Sequence, residues 1–273
     1  YHAVVDNVFT QRTRDYQHLD YWTSRSQDQY VEGATMVPYV GSHDVPRIAS
    51  RADAGTGDAY NQWQEQGLPG QPGNDDAYQA ALQAYGWLLT TPGAPLLYYG
   101  DEYGEYGGAD PDNRHMYRDS SNWNDRESGL FENISTLGKL RFESIALKHG
   151  TYSSKYATPD MLIYDMSHSN QNMSIILNRG AQTSYSGFSD SDLVRFGEAE
   201  IISGTISIPA NSVTVVELNA QIIHQPVFGC TDATATNYDP AATEDDGACQ
   251  YPCLLYTSDA ADEEDSVDLG GRR

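Results

Sequence analysis

The feature that most constrains this chain is a change of hydrophobic period near residue 150. Before it, apolar residues recur at helical spacing between two short apolar runs. Val4, Val5, Val8 and Phe9, then Tyr16, Leu19 and Tyr21, suggest one or two helical stretches over residues 1–30. From Asp76 an acidic start precedes Tyr78, Ala81, Leu82, Tyr85, Leu88 and Leu89 at i, i+3, i+4 spacing, and Pro92-Gly93 ends the pattern. Residues 130–148 read as a further helix, stopped by Gly150. The apolar runs at 36–41 and 94–100 read as buried strands, and the helix between them implies a crossover and parallel pairing. After residue 150 the runs are short and rich in β-formers: 161–164, 173–178, 201–202, 206–208 and 212–218, separated by Asn, Gly, Ser and Pro. That pattern predicts an antiparallel sheet domain. The expectation is an α/β region over 1–150 and an all-β domain over 151–219.

Each apolar run delivers polar residues to its C-terminal end. His43 and Asp44 follow the first; Asp101, Glu102, Asp110, Asp112 and Arg114 follow the second. In parallel α/β folds that edge is where chemistry sits, because the loops after the strands converge there over a rigid sheet. A turn or helix-cap role for Asp44 and a turn salt bridge between Asp110 and Arg114 are the plain alternatives. Residues 50–76, rich in Gly, Pro, Asp and Asn, read as a long loop rimming a site. Trp63 within it is a candidate platform for stacking on a sugar face, or else a loop anchor.

A net charge of −23 argues against nucleic-acid and anionic-membrane partners, which need Lys and Arg on the contact face. A neutral polyhydroxylated ligand is indifferent to it. No apolar run reaches the roughly 20 residues needed to span a membrane. Residues 220–253 read as a linker and a small Asp-rich module in which a Cys230–Cys249 bond would close a loop worth about 3 kcal/mol in the chain-entropy model. Such a bond implies an oxidising compartment, extracellular or periplasmic, against the alternative of two free thiols. Cys253 lies beside the suspect tail, so the true cysteine count is expected to be even. Asp239, Asp245 and Asp246 form either a weak Ca²⁺ site or a solvated acidic loop. The chain begins at Tyr1 in mid-pattern, without an initiator Met, and is expected to be part of a longer protein. Residues 254–273 resemble translated sequencing-adapter read-through and are expected to be a disordered, artefactual tail.

Three segments together carry a family resemblance: Gly41-Ser-His-Asp-Val-Pro-Arg47, Thr91-Pro-Gly-Ala-Pro-Leu-Leu-Tyr-Tyr-Gly-Asp-Glu102 and Gly107-Gly-Ala-Asp-Pro-Asp-Asn-Arg114. In order and spacing they resemble the last two strand-loop segments of the α-amylase family, glycoside hydrolase family 13. The Cys-containing segment separately resembles Asp-rich repeats appended to secreted bacterial proteins. The resemblance implies the C-terminal part of a (β/α)8 barrel followed by an antiparallel β-sandwich. It implies that Asp44 is the carboxylate stabilising the transition state, that His43, Asp110 and Arg114 bind sugar hydroxyls, and that Glu102 supports the site floor from behind. Ser42 stands where the family usually has Asn, as in neopullulanase and cyclomaltodextrinase relatives. The family's Gly-x-Arg-x-Asp nucleophile segment and its acid/base Glu are absent from the chain, so this piece is expected not to hydrolyse anything alone. The implied partner is an α-1,4-glucan, cleaved with retention of configuration. Transglycosylation, sucrose or trehalose conversion, and a non-catalytic carbohydrate-binding role are the alternatives. No metal ligand or cofactor is expected within this segment, and the resemblance leaves Ca²⁺ open for a full-length enzyme.

Overall fold

The computed structural model describes residues 2–31, 34–55, 57–65, 67–220, 228–240, 242, 244–245 and 247–251. Asp246, Cys253 and residues 254–273 lie outside the described residues, and with them parts of the Ca²⁺, cysteine and tail expectations. Two compact units form, residues 1–221 and 222–273.

In the first unit the helices are α1 (His2–Val5), continued by one π turn to Thr10, α2 (Tyr16–Gln29), α3 (Ile48–Ala52), α4 (Asp75–Thr90), α5 (Asp125–Glu143) and α6 (Ile145–His149). Local chemistry sets their ends. The side chain of Asn74 accepts from Ala77 N at 3.1 Å to start α4, and Asn124 with Glu127 forms a capping box on α5. The single helix expected over 130–148 is two, because Ser144 adopts an extended backbone and its hydroxyl accepts from Leu147 N to start α6. α4 is buried nearly all round, which marks it as the central helix. A Cβ at Gly86 would stand 2.8 Å from both methyls of Val213, so this glycine lets α4 lie close on the sheet.

That sheet has five antiparallel strands in the order β1 (Thr151–Ala157), β2 (Met161–His168), β3 (Gln171–Asn178), β8 (Ser212–Leu218), β5 (Leu193–Phe196). A second sheet holds β4 (Thr183–Ser186), β7 (Thr205–Ile208) and β6 (Glu200–Ile202). Residues alternate between two cores. Leu162, Tyr164, Ile175, Leu177, Val213 and Val215 face the helices, whereas Ile163, Ile176 and Val216 join Ile206 and Ile208 of the second sheet. The middle strands are therefore covered on both sides, which is why they read as continuous apolar runs. The change of period at residue 150 is a change of element type within one packed unit: Tyr16 OH donates to Gln83 Oε1 at 2.9 Å, and Gln83 Nε2 donates to Asn178 O at 2.9 Å, tying α2 and α4 to β3.

The runs at 36–41 and 94–100 are adjacent and parallel. Ala94 N donates to Met36 O at 2.8 Å and Leu96 N to Pro38 O at 3.0 Å, with one bridge between Tyr39 and Leu96. They are only in part the buried strands expected: Pro38 and Val40 are buried, Val40 within the core. Val37 is 49% exposed and Leu96 43%, because these runs find each other and no outer neighbour among the described residues. A closed (β/α)8 barrel is not present in the described residues; the parallel portion of the first unit is this pair.

In the second unit, Cys230 and Cys249 are joined by a disulfide with a Cα–Cα separation of 4.9 Å, and β9 (Phe228–Gly229) pairs in parallel with β10 (Glu244–Asp245). Tyr251 OH reaches Asp232 at 2.8 Å across the loop so closed.

Candidate functional site

The first parallel run ends in a turn at residues 42–45, where Ser42 Oγ accepts from Asp44 N at 3.2 Å. This turn holds His43 and Asp44 in the open: the ring Nε2 lies 3.1 Å from Asp44 Oδ1, and the side chains are 64% and 72% exposed. The backbone beneath them is fixed from the neighbouring loop. Asn113, wholly buried, donates through Nδ2 to His43 O and to Val45 O, both at 2.8 Å. The next residue, Arg114, approaches His43 O with Nη2 at 3.5 Å, and its Nε bonds Asp110 Oδ1 at 2.9 Å. Four of the residues singled out in the sequence, His43, Asp44, Asp110 and Arg114, therefore stand on one rim.

Under that rim lies a buried ion pair. Arg47, just past the turn, donates from Nε to Asn113 O at 2.8 Å and from Nη1 to Asp101 Oδ1 at 3.1 Å and to the Tyr99 carbonyl. Both charged side chains are fully buried. The guanidinium carbon sits 4.2 Å from the Tyr98 ring centroid and 4.6 Å from that of Tyr99. Tyr85 of α4 donates to the other oxygen of Asp101 at 2.9 Å. Burial pushes the Asp101 carboxyl up, against the opposing pull of Arg47, and pushes the Tyr85 phenol up further in the company of that carboxylate. A Cβ at Gly41 would collide with the Asp101 carboxylate, so the first run can pass over the second only with glycine there. Arg47 thus joins three segments, the His43 turn, the end of the second run and the Asn113 loop, into one frame.

Glu102 sits beside this frame. It is half-buried in the one-turn 3₁₀ helix Asp101–Tyr103, with its carboxyl raised by burial and hydrogen-bonded to Tyr117. Trp63 is 91% exposed on a loop whose Gln62 donates to the Asp110 carbonyl and whose Ala59 O accepts from Ala109 N at 3.0 Å. Its loop therefore borders the Asp110 turn. Behind the rim, Glu105 accepts from Tyr103 OH and from Arg118 Nε, each at 2.7 Å, and Arg118 also reaches Glu127. These contacts fix the segment that carries Asp110 and Arg114.

Arg47 and Asn113 received no role from the sequence, and Asp101 was one of a cluster. One signal pointed to the pair: Arg47 is flanked by Val45, Pro46, Ile48 and Ala49, and Asp101 closes an apolar run. A charge set among apolar neighbours is seldom buried without a partner. What the rim offers chemically is a carboxylate, an imidazole and a carboxylate-guanidinium pair, all facing solvent over a rigid base. Such a set makes directional hydrogen bonds to a ligand with many hydroxyls. Among the described residues no group of three or more His, Cys, Asp or Glu side chains is arranged to hold a metal ion.

The fold of the chain has counterparts among solved structures. Residues covering 80% of the chain superpose on 43% of the cyclic α-maltosyl-(1→6)-maltose hydrolase of Arthrobacter globiformis, with a TM-score of 0.61 and 20% identity. The α-amylase of Anoxybacillus gives a TM-score of 0.59 at 19% identity, over 79% of the chain and 44% of that enzyme. These likenesses are of fold, that of α-amylase-family enzymes. In sequence the particular relatives include a cyclomaltodextrin glucanotransferase of Bacillus sp. (strain 17-1), 27% identical over 213 residues, which are 78% of this chain and 24% of that protein. The chain spans 20% to 26% of the length of the first such glucanotransferases it matches. No family model matches the chain. The Arthrobacter hydrolase has also been solved in complex with maltose. Among the described residues no helix is long and apolar enough to cross a membrane.

Proposed function

We propose that this chain is part of a secreted, retaining α-glucan-acting enzyme of the α-amylase family, with Asp44 as the carboxylate that stabilises the transition state. The observation that carries this reading is the Arg47-centred frame, which presents His43 and Asp44 beside Asp110 and Arg114 at the end of two adjacent parallel runs. Contacts to the sugar 2-hydroxyl strengthen as the ring flattens towards an oxocarbenium ion, so a fixed carboxylate there binds the transition state better than the ground state. His43 donates to a neighbouring hydroxyl, Arg114 and Asp110 hold a sugar farther along the glucan, Trp63 stacks on a sugar face and Glu102 braces the floor. Retaining cleavage needs two carboxyl groups about 5 Å apart across the bond. The chain contains no Gly-x-Arg-x-Asp segment, and we assign the nucleophile and the acid/base to sequence outside these 273 residues. Alone, the chain binds glucan without cleaving it.

The test titrates the chain with maltoheptaose while following the His43 ring resonances. Saturable shifts that vanish in Asp44→Asn and Arg114→Gln are expected; a chain indifferent to maltoheptaose defeats the reading. In an enzyme carrying the complete barrel, Asp44→Asn should lower kcat by about 10²- to 10³-fold with the fold intact. The glucanotransferase relatives favour a second reading, in which the acceptor is a sugar hydroxyl and not water. Product chromatography separates the two.

A further inference from the structure

On the first unit, away from the rim, lies a hollow of about 470 Å³ lined by Arg12, Thr13, Arg14, Asp15, Gln17, His18 and Arg179. It concentrates positive charge in a chain with 39 acidic and 16 basic residues. Most described arginines are ion-paired with a carboxylate. Arg12 and Arg14 differ, since neither guanidinium has a hydrogen-bond or carboxylate partner among the described residues.

The loop that carries them is nonetheless held firmly. Arg14 N donates to Asn7 O at 2.8 Å, and Thr13 Oγ1 donates to Asn7 Oδ1 at 3.0 Å. Arg179 Nη1 donates to Val8 O at 3.0 Å and to Arg14 O at 3.1 Å, while its Nε faces Asp160 Oδ1 at 3.3 Å and its guanidinium lies 5.1 Å from the Tyr16 ring centroid. Asp15, the acidic member of the lining, is occupied in capping α2 by accepting from His18 N at 3.0 Å. Arg12 adopts a left-handed backbone, φ 51°, which a non-glycine residue holds at a cost of about 1 kcal/mol or more. Arg12 follows the C-cap Gln11 of the opening helix, where a left-handed residue commonly ends a helix, and it leaves its cationic head free at the hollow.

We propose that this hollow is a second binding site, for an oxyanion group, phosphate or carboxylate, borne on a small molecule. Guanidinium forks match the oxygen spacing of both groups and hold them through paired N–H donors. The volume exceeds that of a lone ion and leaves room for the body of a ligand beside the anion, with Gln17, Thr13 and His18 as polar neighbours. Because the whole chain repels anions, uptake here is local recognition and not bulk attraction.

The test titrates the full 273-residue chain with inorganic phosphate, and separately with citrate, at ionic strength matched by sodium chloride, following amide resonances. Saturable shifts confined to residues 12–18 and 179 are expected, and the Arg12→Gln/Arg14→Gln variant should bind at least about tenfold more weakly. Binding of phosphate alone assigns a phosphoryl ligand, of citrate alone a carboxylate ligand, and of both a general oxyanion site. Arg12→Gly separates binding from structure, since it removes the cation and relieves the left-handed strain; it should lose binding while its thermal midpoint stays level or rises. Absence of saturable binding by either anion, or binding unchanged in the double variant, overturns the proposal. The outcome is independent of the maltoheptaose titration.

Discussion

The antiparallel sheet and the parallel pair are both built from apolar runs of similar length, yet they end differently. β2, β3 and β8 each pair along most of their length with neighbours on both sides, stack on helices and on a second sheet, and are buried on both faces. Among the described residues the runs at 36–41 and 94–100 pair only with each other, through one bridge, and keep Val37, Leu96, Leu97 and Tyr99 exposed. The sheet is held by apolar packing. The parallel pair is held by polar groups: a buried arginine, its carboxylate, a buried asparagine and a tyrosine. Where a ladder is too short to fix a loop, a buried polar network fixes it instead, here one that leaves Arg47 Nη2 and Asn113 Oδ1 without a partner among the described residues.

The sharpest way to break this contrast is Asp101→Ala, which leaves Arg47 buried without its counter-charge. We expect a loss of about 3 to 5 kcal/mol in denaturant unfolding, accompanied by loss of the His43 response to maltoheptaose. An unchanged midpoint would mean that packing, and not the ion pair, holds the rim. Next, Ile175→Ala in the doubly covered sheet should cost about 2 to 5 kcal/mol, whereas Val37→Ala on the exposed pair should stay within about 0.5 kcal/mol. Equal costs at the two sites would erase the distinction. Asn113→Ala removes the two bonds to His43 O and Val45 O and leaves those carbonyls short of a donor, for about 1 to 3 kcal/mol and a broadened His43 signal.

The smallest effect is expected at Glu102. Burial raises its carboxyl above the ordinary value near 4.5, so its contribution to stability is present when it is protonated and is lost as pH rises through the folded value. Glu102→Gln should therefore match the wild type in acid and equal or exceed it near neutrality, flattening the pH profile of the thermal midpoint. A variant less stable than wild type at neutral pH would show that the ionised group earns a favourable contact here.

How much of this was legible follows from what is local. The α4 stripe, its Pro92-Gly93 end and the β-runs after residue 160 could be read because each pattern is complete within its own segment. β1 was missed, since Thr151–Ala157 is polar and owes its extended form to pairing with β2. The split at Ser144 was missed because a capping hydroxyl inside a helical pattern looks like any polar surface residue. At the site, the motifs drew attention to His43, Asp44, Asp110 and Arg114, whereas Asn113 looked like a loop residue. Its part depends on two carbonyls almost 70 residues away in the chain, as their separations of 70 and 68 show. No local period encodes that.

Among the described residues the outer edges of the parallel pair have no strand neighbour, which has a consequence for handling the protein. Backbone amides and carbonyls without a neighbour are places where a second molecule can add itself. At neutral pH a charge of −23 keeps molecules apart, but that repulsion fades as the solution approaches the isoelectric point of 4.3. Solubility of this chain is thus governed by acidity, and turbidity should set in on acidification before any loss of secondary structure.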